Sequence, residues 1–189
     1  MNSARARERA DELQARLQRR LDDLNGERQL SPLPPVVVGG ALVVPQGLLS
    51  ELQGGKPNGV DQAARERTDQ MAVAAVMEAE RRLGREPTEM PHRHPGYDIE
   101  SKDPETGRLR FIEVKGKGEG TITVTVSKTQ ILTALNKPDD FVLAIVPVEG
   151  GAVQKPRYVR QPFQREPDFG VTSVNYDLPE LIERGEEPW

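Results

Sequence analysis

The chain has 189 residues, which suits one domain of about 100–150 residues plus an appendage. It contains no cysteine, so structural disulfides and cysteine-ligated zinc are excluded, and no apolar run approaches the roughly 18 residues of a membrane helix. The formal net charge of −4 argues against an indiscriminate nucleic-acid binder, but it leaves room for carboxylates gathered around a cation. The N-terminus carries arginines without an apolar core and is not a secretory signal, so a cytoplasmic protein is expected.

Residues 3–25 read as a charged helix. Leu13, Leu17, Leu21 and Leu24 form a narrow apolar stripe, and Asn25-Gly26 supplies a stop. With only about three heptads, this helix suits either a docking element or a solvated helix on its own domain. Residues 31–35 (Ser-Pro-Leu-Pro-Pro) read as a rigid linker. Residues 36–44 place two short valine-rich strands around Gly39-Gly40, a hairpin signal, and Leu48, Leu49 and Leu52 suggest a helical turn. The resulting division is 1–30 for a connector or docking helix, 31–59 for a linker with a hairpin, and 60–189 for the main domain.

From Val60 to Leu83 the pattern is helical, and Gly84 ends it. At about 100° per residue, Val73, Val76 and Leu83 share a face, with Ala72 at its edge. Asp69 and Glu80 lie on that same face, so an acid stands at each end of an apolar stripe. Residues 86–95 read as a Pro/His-rich loop. Two strands follow, Tyr97–Ser101 and Arg108–Lys115, around a turn at 102–107. Thr121–Val126 alternates like a half-buried strand, and Ser127 is placed to cap a helix over Lys128–Asn136. Phe141–Val148 is continuously apolar, the mark of a central buried strand. Tyr158–Phe163 is an edge-strand candidate and Leu178–Arg184 a terminal helix. The fold class is therefore α/β (α+β), with helix, three strands, helix and strand around a mixed sheet.

Chemistry concentrates on the second of the paired strands. Leu109, Phe111, Glu113 and Lys115 share one face, so two ionisable groups stand in line with two apolar ones. Such groups are costly there unless paired or bound to metal. Asp98, on the preceding strand, can approach across the hairpin. Two carboxylates and a lysine in one place suit phosphodiester hydrolysis. Asp98 and Glu113, with the Val114 carbonyl, offer the oxygen ligands that Mg²⁺ or Mn²⁺ prefers, and Lys115 can orient water or steady phosphate charge. A lone E-x-K is a common pattern; joined to a strand aspartate and flanking helices it is far more specific.

The segments Gly96-Tyr97-Asp98-Ile99-Glu100-Ser101 and Arg110-Phe111-Ile112-Glu113-Val114-Lys115-Gly116 resemble the NO VEIN C-terminal domain family, itself similar to the PD-(D/E)XK nucleases. Residues from Leu30 onward also resemble the C-terminal portion of bacterial Swi/Snf-type helicase-like proteins, some linked to phage defence; residues 31–45, 83–87, 131–138 and 162–163 carry that likeness. The resemblance implies a restriction-endonuclease-like core bearing Asp98, Glu113, Lys115 and an acid on the first helix. The family's helix glutamate aligns with Asp69, with Glu80 as the alternative, and Gln130 stands where many relatives carry glutamate.

His94 and His92 are candidates for phosphate contact or proton transfer, or are ordinary loop residues. Lys117, Lys128, Arg157 and Arg160, with Lys155 and Arg165, are candidates for a phosphate path, or simply a solvated edge. The leading expectation is a Mg²⁺-dependent DNA endonuclease module working with a helicase-like partner, with homodimerisation open. The alternative is a catalytically silent nucleic-acid-binding or assembly module. The connector-like opening helix also suits a fragment or split subunit of a longer helicase-like protein.

Overall fold

The computed structural model describes residues 3–31, 62–91, 94–168 and 170–189, with single positions at 36, 39, 40, 42, 44 and 52. The linker at 31–35, the hairpin read over 36–44, the turn near Leu48 and Leu49, and His92 therefore fall wholly or largely outside the described residues. The chain divides into two units, Met1–Asn58 and Gly59–Trp189. In the first, helix α1 (Ser3–Glu27) contains no buried residue, and Leu13, Leu17 and Leu21 of its apolar stripe are exposed.

The second unit opens with α2 (Gln62–Arg82). Ala72, Val76 and Glu80, spaced by one turn each, are fully buried. The helix stops in a left-handed glycine motif. Gly84 has φ +77, its N–H reaches the Arg81 carbonyl, and the Arg85 N–H reaches that of Glu80. Leu83 thus lies past the helix and is exposed rather than on the buried stripe.

Strands β1 (Glu86–Glu89), β2 (Ile99–Lys102) and β3 (Leu109–Gly118) form an antiparallel meander. β4 (Thr123–Ser127) leads into α3 (Lys128–Asn136), which crosses over to β5 (Phe141–Glu149). β5 returns parallel to β3, with Glu113 opposite Leu143 and Lys115 opposite Ile145. β6 (Ala152–Val153) and β7 (Arg157–Arg160) both pair antiparallel with β5. β8 (Ser173–Asp177) and α4 (Leu178–Arg184) complete the unit.

The order of α2, three meander strands, α3 and a parallel strand is that of a restriction-endonuclease-like core. The third meander strand differs from the expected one. It is β1, read from sequence as loop, whereas β4 leaves the main sheet and pairs with β8 in a separate ribbon. The reason lies in the side chains. Val124 and Val126 of β4 pack into the cluster containing Phe111, Ile131, Leu143, Ile145 and Phe163, on the α3 side of the sheet. On the opposite side, Ala72 and Val76 of α2 pack against Ile99, Ile112, Val114, Val142, Ala144, Val146 and Tyr158. β5 thus alternates its side chains between two apolar layers, which explains its unbroken apolar run.

Candidate active site

β2 and β3 separate at the point where the motif residues meet. Ile99 is paired with Ile112, and the Asp98 N–H donates to the Ile112 carbonyl at 2.9 Å. The next residue along this edge of β3, Val114, donates its N–H instead to Asp98 Oδ2 at 2.8 Å. The side chain of Asp98 therefore takes over where the β2 backbone ends. A strand residue turns its N–H and C=O toward the same edge, so the Val114 carbonyl faces the Asp98 side as well.

Glu113 lies on the α3 face and is buried, at 2% exposure. Its Oε1 accepts from Lys115 Nζ at 2.8 Å and from Gln130 Nε2. Gln130 is fixed in turn by the start of α3. Its Oε1 accepts from the Ser127 N–H at 2.8 Å, while Ser127 Oγ accepts from the Gln130 N–H at 3.2 Å, a reciprocal capping box. Lys115 Nζ also approaches Gln130 Oε1, at 3.4 Å. Helix capping and carboxylate orientation are thus one local structure.

The other oxygen of Glu113, Oε2, is buried and has no hydrogen-bond donor. The Glu113 and Asp98 carboxyls are close enough to share a hydrogen bond. Two ionised carboxylates only accept, so this contact requires a proton or a cation between them. Burial, reinforced by Asp98, pushes Glu113 up to about 7 against the pull of Lys115. Burial also raises Asp98, against the Val114 N–H and Lys115. Among the described residues, no group of three or more His, Asp or Glu side chains surrounds one point. A cation here would rest on two carboxylates and a backbone carbonyl, leaving its remaining positions to solvent or phosphate oxygen. That oxygen-only donor set fits Mg²⁺ or Mn²⁺.

The structure separates the two helix acids. They stand eleven residues apart on α2, about 16 Å along its axis. Asp69 interacts electrostatically with Lys117, Lys115, Asp98 and Arg65, and desolvation raises its carboxyl. It therefore faces the motif. Glu80 is turned into a structural network: Arg85 Nε lies 3.1 Å from its Oε2, and Arg110 Nη1 and the Tyr158 hydroxyl each lie 2.9 Å from its Oε1. Glu80 is thus held among Arg85, Arg110 and Tyr158, about three turns along the helix from Asp69.

A close approach brings Asp69 to the strands. A Cβ on Gly116 would meet the Thr68 carbonyl oxygen at 2.8 Å and Ala72 Cβ at 3.1 Å. Only glycine lets α2 rest there, with Asp69 alongside Lys115 and Lys117. Gly96 plays a similar part at α3: its φ is +111, and a Cβ would stand 2.5 Å from Thr133 Oγ1.

The remaining candidates divide. His94 packs against the Tyr97 ring at 4.4 Å, its Nδ1 lies 3.1 Å from the Tyr97 carbonyl, and it lies within electrostatic reach of Asp98. Lys117 is half-buried near Asp69 and Lys115, and burial lowers its pKa. Lys128 donates to the Asp168 carbonyl at 3.1 Å. Arg157 and Arg160 both have partners within the chain. Arg157 donates to the Gly185 carbonyl, and Arg160 pairs with Glu186 at 3.6 Å and stacks on the Trp189 ring at 3.6 Å. Lys155 likewise pairs with Glu187, at 3.5 Å. The chain's last residues claim these cations, a long-range contact that local sequence does not announce. Sequence reasoning also missed Arg65, which the i, i+4 spacing to Asp69 could have brought forward.

No described helix is long and apolar enough to cross a membrane. Comparison with curated proteins finds no match. Among solved structures, the chain is similar to Hjc of Archaeoglobus fulgidus, described as a Holliday junction resolvase from an archaeal hyperthermophile. The identity is 14%, the TM-score 0.41, and the match covers 60% of this chain and 94% of that one. Residues 68–159, from Thr68 in α2 to Val159 in β7, match the family model described as Protein NO VEIN, C-terminal, the family that Gly96–Ser101 and Phe111–Gly116 resemble.

Proposed function

We propose that the protein is a divalent-cation-dependent nuclease module that hydrolyses phosphodiester bonds in DNA. The observation that carries this reading is the donor-less buried oxygen of Glu113, set against Asp98. A purely structural fold has little reason to keep two carboxyls facing each other, and a bound cation would satisfy both. Asp98, Glu113 and the Val114 carbonyl would hold it. Bound there, Mg²⁺ would polarise phosphoryl oxygen and ease deprotonation of water.

The chain's own groups do the rest. Gln130 holds Glu113 in one orientation. Lys115 presents its ammonium at the carboxylates, where it can align a nucleophilic water or neutralise phosphate charge. Asp69 adds an acid from the α2 side, and His94 stands near Asp98. The resemblance to helicase-like proteins supports operation with a helicase-like partner in restriction or phage defence, with α1 as docking helix and residues 60–189 as the nuclease domain.

The test is cleavage of plasmid and linear DNA with Mg²⁺ or Mn²⁺ and with chelator, using the unmodified protein and Asp98→Asn, Glu113→Gln and Lys115→Ala. Metal-dependent cleavage lost in all three variants is expected. Undiminished cleavage by Asp98→Asn would remove Asp98 from the site and sink the reading.

A further inference from the structure

Three cations, Lys117, Lys115 and Arg65, act on Asp69. Lys115 is engaged by Glu113, 2.8 Å away. Asp69 alone then serves both Lys117 and Arg65, and Arg65 and Lys117 repel each other. Neither cation makes a hydrogen bond or close ion pair among the described residues. Their placement follows from the fold. Arg65 precedes Asp69 by one helical turn and so shares its face of α2. Gly116 lets that part of α2 contact β3 through Thr68, and Lys117, which leaves the end of β3 on the other face with Lys115, is still within electrostatic reach of Asp69 and Arg65. Lys117 is also half-buried, an unfavourable setting for an ammonium without an anion.

We propose that Arg65 and Lys117 form a phosphate-binding subsite beside the carboxylates, which takes the nucleic-acid phosphate adjoining the one to be cleaved. The inference rests on the reading of Asp98 and Glu113 as a phosphodiester site. Arg65 supplies a planar donor fork at the surface, and Lys117 a point charge at the inner wall. Asp69 attracts both and offsets their mutual repulsion before substrate arrives. The subsite makes the substrate a chain of nucleotides, since a lone phosphate ester would leave one pair of cations unused.

Binding of a fluorescein-labelled DNA duplex, measured by anisotropy in EDTA across a range of salt, tests this without requiring cleavage. Arg65→Ala and Lys117→Ala should each weaken binding several-fold. Each should also lower the slope of log affinity against log salt by about 0.9, the value of one phosphate contact. Arg82→Ala, on the same helix but paired with Glu78 at 3.0 Å, should change neither. Arg65 is exposed, so its variant should keep the wild-type melting temperature and decides the matter if Lys117→Ala folds poorly. An Arg65→Ala protein that binds like Arg82→Ala overturns the proposal, as does a wild-type protein that does not bind the duplex. The nuclease reading fails by a different result: cleavage that survives Asp98→Asn.

Discussion

Glu113 makes a quantitative claim that can be tested on the metal-free protein. Its carboxyl is pushed up to about 7 in the fold, from an ordinary 4.5. The native state therefore holds the proton more tightly than the unfolded chain does. The sign follows from linkage: the contribution to stability is fully present below 4.5 and is lost as pH rises to and through 7. The shift corresponds to about 3 kcal/mol in all, of which about 2–3 kcal/mol falls between pH 5 and pH 8. Urea unfolding of wild type and Glu113→Gln, in chelator at both pH values, isolates this part. Wild type should lose about 2–3 kcal/mol more than the variant on going from pH 5 to pH 8. Parallel behaviour of the two proteins would refute the argument, because it would mean that Glu113 titrates normally and is not desolvated against Asp98.

Two further outcomes concern the scaffold. Glu80→Ala should cost about 3–5 kcal/mol in urea unfolding, since Arg85 and Arg110 would be left without their shared carboxylate. A loss below about 1 kcal/mol would show that the network is incidental. Gly116→Ala should cost about 1–3 kcal/mol by forcing α2 from β3, whereas Gly118→Ala, where nothing lies within 4 Å, should be near neutral. Equal effects of the two would remove the close-approach role of Gly116.

How much of this was legible depended on which force governed each residue. β5 and α3 could be read almost to their ends, because unbroken burial and a serine cap leave clear local signals at Phe141 and Ser127. β1 could not. Glu86-Pro87-Thr88-Glu89 has no apolar alternation, and its edge position next to β2 comes from tertiary pairing alone. β4 has the right period, but period does not say which strand is the partner, and it joined β8 rather than the meander. In the site, the shared face of Glu113 and Lys115 followed from the two-residue strand period. The choice between Asp69 and Glu80 did not follow, since helical period puts them on one face. What sets the two apart is distance along the axis and two arginines from elsewhere in the chain, Arg85 and Arg110, which engage Glu80. Arg157 and Arg160 were similarly claimed by residues about 25–30 positions downstream.

Gln130 answers to two constituencies. Its oxygen receives the Ser127 N–H and faces the Lys115 ammonium, while its nitrogen points at Glu113. Among the twenty side chains, only glutamine has both the reach and this division of donor and acceptor. A glutamate could still begin the helix, but it would set a third negative group against Glu113 and would be tolerated only with a proton or more positive charge nearby. Position 130 therefore admits few side chains. Changing it exchanges one charge balance of the site for another while the helix itself stays intact, so the residue found there reports how many charges the neighbouring carboxylates are expected to share.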